Sequence, residues 1–270
     1  IMIVFGTRPE AIKMAPLIKE IKNYAALELR VCITGQHREM LDQVLKLFKI
    51  IPDYDLALMS PGQTLNELTG KVIAGMERVF EDWRPELVFV HGDTTTTFAA
   101  SLAAYYQRIA VYHVEAGLRT HDIYSPWPEE LNRRMVGAIA AVHFAPTQKA
   151  AQNLMSENIA TECINITGNT VIDALLEVNQ KIESDVALKS SISKQFPFLD
   201  KTKRLVLVTA HRRENFGAGF ESICNAISTI SKRNDVQIVY PVHLNPSVQE
   251  PVYRILKNNP NVHLIAPQDY

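Results

Sequence analysis

Short apolar runs alternate with longer helical patterns along almost the whole chain, and this rhythm restricts the fold more than any other feature. Residues 1–5, 29–34, 87–91, 110–114, 142–145 and 163–167 read as strands. Residues 9–22, 38–48, 65–79 and 97–106 read as helices between them. In the second of these helices Met40, Leu41, Val44, Leu45 and Phe48 share one face,. Strands that are apolar throughout and are separated by helices pair in parallel, with helices on both faces of the sheet. A polar stretch at 182–203, carrying Phe196-Pro197-Phe198, reads as the approach to a second unit. The rhythm then resumes with strands at 204–208, 237–240 and 262–266 and helices at 219–232 and 252–257. The expected fold class is therefore α/β, with two Rossmann-like doubly wound units. The first spans residues 1–170, a helical connector spans 171–203, and the second unit spans 204–270. Only about three strands of the second unit are present, where five or six are usual, so it is expected to be incomplete. The chain opens inside an apolar run, which suggests a trimmed start.

Composition narrows the partners. Among 270 residues, 28 basic and 29 acidic side chains leave a net charge of −1, which does not favour nucleic acid,. No apolar run reaches about 18 residues, so no membrane span is expected. Cys32, Cys163 and Cys224 are isolated and odd in number, which argues against a disulfide framework and fits a reducing cytoplasm,. No CxxC pair or His/Cys cluster points to zinc. Trp83 and Trp127 read as packing residues.

In open parallel sheets, ligands bind beyond the carboxyl ends of the strands. Glycines and ionisable residues recur at that edge in this sequence. After the first strand comes Gly6-Thr7-Arg8-Pro9-Glu10, with Lys13 a turn further on. Gly6 permits a tight turn and Pro9 suits a first helical position. Backbone N–H groups with Arg8 and Lys13 make an anion site, against the plainer reading of two solvated cations at a helix start. His37 beside Arg38 could extend it. The loop is neither a Walker loop nor GxGxxG, so ATP and NAD are not supported. Asp93 and Glu115 each end an apolar strand, where a charge is costly unless paired or working. Helix capping is the rival role for Asp93. Glu129 begins a helix, and pairing with Arg133 four residues on is the rival role there. Carboxylates converging near cations suit general acid/base chemistry. His211 and His243 follow two strands of the second unit, where each is either a phosphate or proton-transfer group or a structural histidine.

The strings Phe5 to Pro16, Gln36 to Asp42, His91 to Thr96, Val114 to Arg119, Ser125 to Asn132, Thr167 to Thr170, His211 to Glu214 and Val242 to Pro246 together resemble the UDP-N-acetylglucosamine 2-epimerase family, in its non-hydrolysing, bacterial branch. The resemblance runs over essentially the whole chain. It implies a fold like the type B glycosyltransferases and reversible conversion of UDP-N-acetylglucosamine to UDP-N-acetylmannosamine, without a cofactor, supplying units for surface polysaccharide. The implied route is anti elimination of UDP to a 2-acetamidoglucal and re-addition on the opposite face. It implies that Asp93, Glu115 and Glu129 are the acid/base set. Arg8, Lys13 and His211 would meet the nucleotide or help it leave, with Arg133 and His37 also binding substrate. It further implies a second UDP-N-acetylglucosamine as an activator near Gln36, Glu39, Glu129, Arg212 and His243, and a homodimer. Family members continue past residue 270 into a Gly- and Ser-rich segment that holds the nucleotide, so weak UDP binding is expected of this chain alone. The alternatives are the hydrolysing relative, a binding module without activity, and a glycosyltransferase.

Overall fold

A computed structural model of the chain describes residues 1–35, 38–60, 62–210, 216–268 and 270, without the side chains of Arg38 and Glu39. Two compact units emerge, Ile1–Lys181 and Ile182–Tyr270. The expected α/β class is observed in each.

The first unit is built on seven parallel strands. They are β1 (Met2–Phe5), β2 (Arg30–Ile33), β3 (Tyr54–Asp55), β4 (Leu87–His91), β5 (Ala110–Val114), β6 (Val142–Ala145) and β7 (Ile164–Ile166), in the order β3-β2-β1-β4-β5-β6-β7. Every residue of β1 is fully buried, because β1 lies inside the sheet between β2 and β4 with helices above and below,. Met2 and Val4 face a cluster formed by α3 (Leu65–Asp82) and α4 (Thr95–Tyr106). Ile3 and Phe5 face a cluster formed by α1 (Arg8–Ile21), α2 (Arg38–Leu47) and the start of α7 (Thr170–Ser184). Burying a side chain of this size stabilises by roughly 1.5–3 kcal/mol. The chain order reverses between β1 and β4, so the crevice that such a sheet offers a ligand opens between the loops after these two strands,.

Several boundaries differ from those read in the sequence. β3 is only two residues long and carries no apolar run to betray it. α6 (Gln148–Ser156), capped by Thr147, lies between two strands that the sequence reading joined directly. The first unit extends beyond residue 170, because Ala174 of α7 is fully buried in the core against which Val171 also packs. Trp83 packs on the α3/α4 cluster, with the Arg30 guanidinium 4.8 Å from its ring centre. Trp127 does not pack as expected: it is 63% exposed in the loop before α5 (Glu129–Ile139).

The second unit begins with α8 (Val186–Gln195), capped by Asp185. Three parallel strands follow, β8 (Arg204–Leu207), β9 (Val236–Pro241) and β10 (Val262–Ile265), in the order β10-β9-β8. α9 (Ala218–Ile230) and α10 (Pro246–Leu256) enclose Phe220, Cys224, Tyr240, Val248 and Val252. α10 starts six residues before the expected 252. Asn245 caps it and Pro246 takes the first position, where a proline sacrifices no hydrogen bond,. Cys32, Cys163 and Cys224 are free thiols, and Cys32 is core as expected.

Candidate active site

The loops after β1, β4, β5 and β7, together with the start of α5, bring most of the predicted groups of the first unit to the carboxyl edge of the sheet. The turn after β1 passes so close to its neighbours that a Cβ on Gly6 would lie 2.1 Å from Thr34 Oγ1 and 2.4 Å from Thr96 Oγ1. Only glycine fits there. Arg8 follows, half-buried, and no other described residue makes an ion pair or hydrogen bond with its guanidinium. Lys13, expected at the anion site, is paired here with a carboxylate. Its ammonium donates to both oxygens of Glu115, at 2.8 and 2.7 Å. Asn169, from the loop after β7, donates to the same carboxylate. His91 Nε2 stands 3.9 Å from it. Burial works to raise the Glu115 pKa, but the electrostatic pull of His91, the Lys13 ammonium and the Asn169 amide outweigh it and hold it below the ordinary range.

Asp93 is not the cap of α4. Thr94 takes that role by accepting the Thr97 N–H, which leaves the Asp93 side chain to meet Arg133 Nη2 at 2.6 Å. Burial pushes Asp93 up to about 6. The Arg133 charge opposes the rise, and Glu129, Glu115 and Glu10 add to it. Asn132 fixes the loop by donating to the Asp93 carbonyl at 2.9 Å. Glu129 does not use its side chain on Arg133. That guanidinium reaches Asp93, the Glu129 main-chain carbonyl at 3.4 Å and the fully buried Glu130 at 3.5 Å. One Glu129 oxygen is buried without a hydrogen-bond partner among the described residues. A base poised near neutrality, a second carboxylate held ionised by a lysine and a third with an open oxygen can supply and accept protons around one small substrate.

Arg119 has a structural use. Its side chain is 1% exposed and meets both oxygens of Glu157, each at 2.7 Å, which locks the loop after β5 to the end of α6. His91 and His113 are buried, and burial pushes them down to about 4 and about 3, so both are neutral near pH 7. Sequence reasoning did not select Glu10, His91, Asn132 or Asn169 as site residues. The asparagines lie inside the quoted motifs, and their proximity to loops after apolar strands was the available signal. In the second unit, His243 is exposed and its Nδ1 accepts the Asn245 N–H at 3.1 Å. The expected roles of His211, Arg212, Gln36 and His37, and of the Glu39 side chain, fall outside the described residues. Among the described residues no group of three or more His, Cys, Asp or Glu is placed to hold a metal ion. None of their helices is long and apolar enough to cross a membrane.

A model of the family described as UDP-N-acetylglucosamine 2-epimerase matches residues 19–270. The chain belongs to the UDP-N-acetylglucosamine 2-epimerase family. It is 58% identical to the UDP-N-acetylglucosamine 2-epimerase of Salmonella typhimurium, over all of this chain and 72% of that protein. The relative from Escherichia coli K12 matches at the same identity and coverage. Among solved structures, the Neisseria meningitidis epimerase bound to UDP-GlcNAc superposes with a TM-score of 0.91 at 51% identity, covering 100% of this chain and 72% of that one. The Staphylococcus aureus MnaA–UDP complex gives 0.83 at 48% identity, over 99% and 69%. This chain thus spans about seven-tenths of the length of these proteins.

Proposed function

We propose that the protein interconverts UDP-N-acetylglucosamine and UDP-N-acetylmannosamine by eliminating and re-adding UDP. The C2–H bond of the sugar is weakly acidic, so its loss must be coupled to rupture of the anomeric C1–O bond. A carboxylate takes the C2 proton, the C1–O electrons leave with UDP, and a 2-acetamidoglucal forms. Return of a proton to the other face of C2 and of UDP to C1 completes the inversion. The observation that carries this reading is the carboxylate cluster at the β1/β4 switch point, with Asp93 poised at about 6 beside Glu115 and Glu129. In this reading Asp93, Glu115 and Glu129 are the acid/base groups. Arg8, which pairs with no other described residue, is a cation for the diphosphate, assisted by Arg133 and, by family resemblance, by His37 and His211,. Lys13 acts by keeping Glu115 ionised, and meets phosphate only if it leaves that carboxylate.

Family resemblance also supports a second UDP-N-acetylglucosamine as activator at Gln36, Glu39, Arg212 and His243, a homodimer, and a cytoplasmic location. Proton NMR of UDP-N-acetylglucosamine with the protein in deuterated water tests the central claim. Deuterium at C2 and appearance of the manno epimer without an acceptor sugar are expected. Release of free N-acetylmannosamine and UDP, with no UDP-N-acetylmannosamine formed, would instead identify a hydrolase.

A further inference from the structure

Glu10 carries a larger hydrogen-bond load than a helix-capping carboxylate requires. It is 2% exposed. One oxygen accepts the Gly6 N–H at 3.0 Å, the Thr7 N–H at 2.8 Å and the Thr7 hydroxyl at 2.8 Å. The other accepts the Thr94 hydroxyl at 2.7 Å, and the Thr97 hydroxyl, whose one hydrogen also meets the His91 carbonyl at 2.5 Å, lies 3.0 Å from it. An ordinary capping glutamate in the same chain gives the contrast. Glu67 of α3 is exposed and accepts the Thr64 N–H at 2.9 Å within its own turn,. Glu10 does the equivalent for Thr7, then reaches across to a different loop.

The two loops it joins are the ones on either side of the switch point. α1 and α4 pack on opposite faces of the sheet. Thr94 passes the link onward, since its oxygen accepts the Thr97 N–H at 3.1 Å while its hydrogen goes to Glu10. Arg8 lies on one side of this buried clamp and Asp93 on the other, each one or two residues from a clamped atom. We propose that Glu10 is a positioning residue that holds the Arg8 turn and the Asp93 turn in fixed register, so that cation and base meet one substrate together. The proposal rests on the epimerase reading above. Displacing a reacting group by about 1 Å costs on the order of 100-fold in rate, so a buried clamp between the two turns has a kinetic signature distinct from simple folding.

Charge adds a second signature. The groups facing Asp93 are Arg133 and Glu129 from α5, Glu115 from the loop after β5, and Glu10 from α1. Removing the Glu10 charge takes away one influence that raises Asp93, so the acid limb of the rate profile moves down.

The test compares Glu10→Gln, Thr94→Val and Thr94→Ser with the parent protein, with Asp93→Asn as control. Glu10→Gln is expected to lower kcat about 10- to 100-fold while KM changes less than about 3-fold, with the acid limb shifted below its parent position. Thr94→Val should lower kcat in the same way, and Thr94→Ser, which keeps the hydroxyl, should restore it. A folded Glu10→Gln with parental kcat and an unmoved acid limb overturns the proposal. If Glu10→Gln does not fold, equal kcat for the valine and serine variants at Thr94 overturns it. Retained C2 deuterium exchange in Asp93→Asn would sink the epimerase reading's assignment of the base, and is read separately from the Glu10 and Thr94 results.

Discussion

Asp93 sits where burial and three carboxylates favour its neutral form, and one guanidinium, 2.6 Å away, keeps it usable as a base. That balance gives a directional prediction. Replacing Arg133 with glutamine removes the influence that lowers Asp93, so the acid limb of kcat/KM should rise above about 6, and activity at pH 6.5 should fall more than activity at pH 8,. A pH profile of the variant measures this, and an unshifted limb would mean that Asp93 does not set it. Asp93→Asn should abolish C2 exchange while UDP binding, followed by calorimetry, stays within about 3-fold of parent, since the amide keeps the shape but cannot take a proton. Asp93 and Glu115 were legible in the sequence because each ends an apolar strand, where an idle charge is expensive, and Glu129 only through the motif that holds it, because a carboxylate at a helix start is ordinary. Their partners were not. Nothing near Lys13 in the sequence points to Glu115, 102 residues away. Glu10 reads locally as a capping residue, because its second set of donors comes from Thr94 and Thr97.

The loops at the carboxyl edge are held by close backbone approaches as much as by side chains. Gly92 and Gly117 both have positive φ, +67° and +86°. A Cβ on Gly92 would meet nothing nearer than Glu115 Oε1 at 3.9 Å, so Gly92→Ala should cost only the left-handed penalty, about 1–2 kcal/mol,. At Gly117 the Cβ would lie 2.3 Å from the Ala150 carbonyl oxygen, main chain at the start of α6. That oxygen belongs to a helix and cannot swing aside, so Gly117→Ala should cost about 3 kcal/mol or more. Urea titration of the two variants checks the order, and equal losses would show that α6 yields. At this scale the sequence revealed the long elements well, because continuous apolar runs and helical periodicity survive any packing detail. It concealed β3, whose Tyr54–Asp55 pair is recruited by β2 alone, and it clipped α10, where Pro251 reads as a breaker although Asn245 and Pro246 form a sound start.

Across the first unit, titration sets a stability profile. His91 and His113 are lowered to about 4 and about 3 by burial, so between pH 6 and pH 4 the unfolded chain binds their two protons and the folded chain does not. Asp93 acts in the opposite sense: raised to about 6, it is protonated in the folded chain over that interval and mostly not in the unfolded one. From these three groups the unfolded state binds about one proton more near pH 5, so stability should fall there by roughly 1.4 kcal/mol per unit as pH drops, and His143, lowered by burial in the same way, adds to the loss,. His113→Gln should flatten that slope, which thermal melts at several pH values would reveal. The arrangement of the sheet also bears on how the protein is made. β1 is an interior strand of its sheet, between β2 and β4, with no residue exposed. Yet the ribosome completes it long before β4, since all of α1, β2, α2, β3 and α3 must emerge first. At roughly 5–20 residues per second, the sticky Met-Ile-Val-Phe segment waits several seconds for its second neighbour, an interval in which a chaperone's grip would matter more than at any later stage of synthesis.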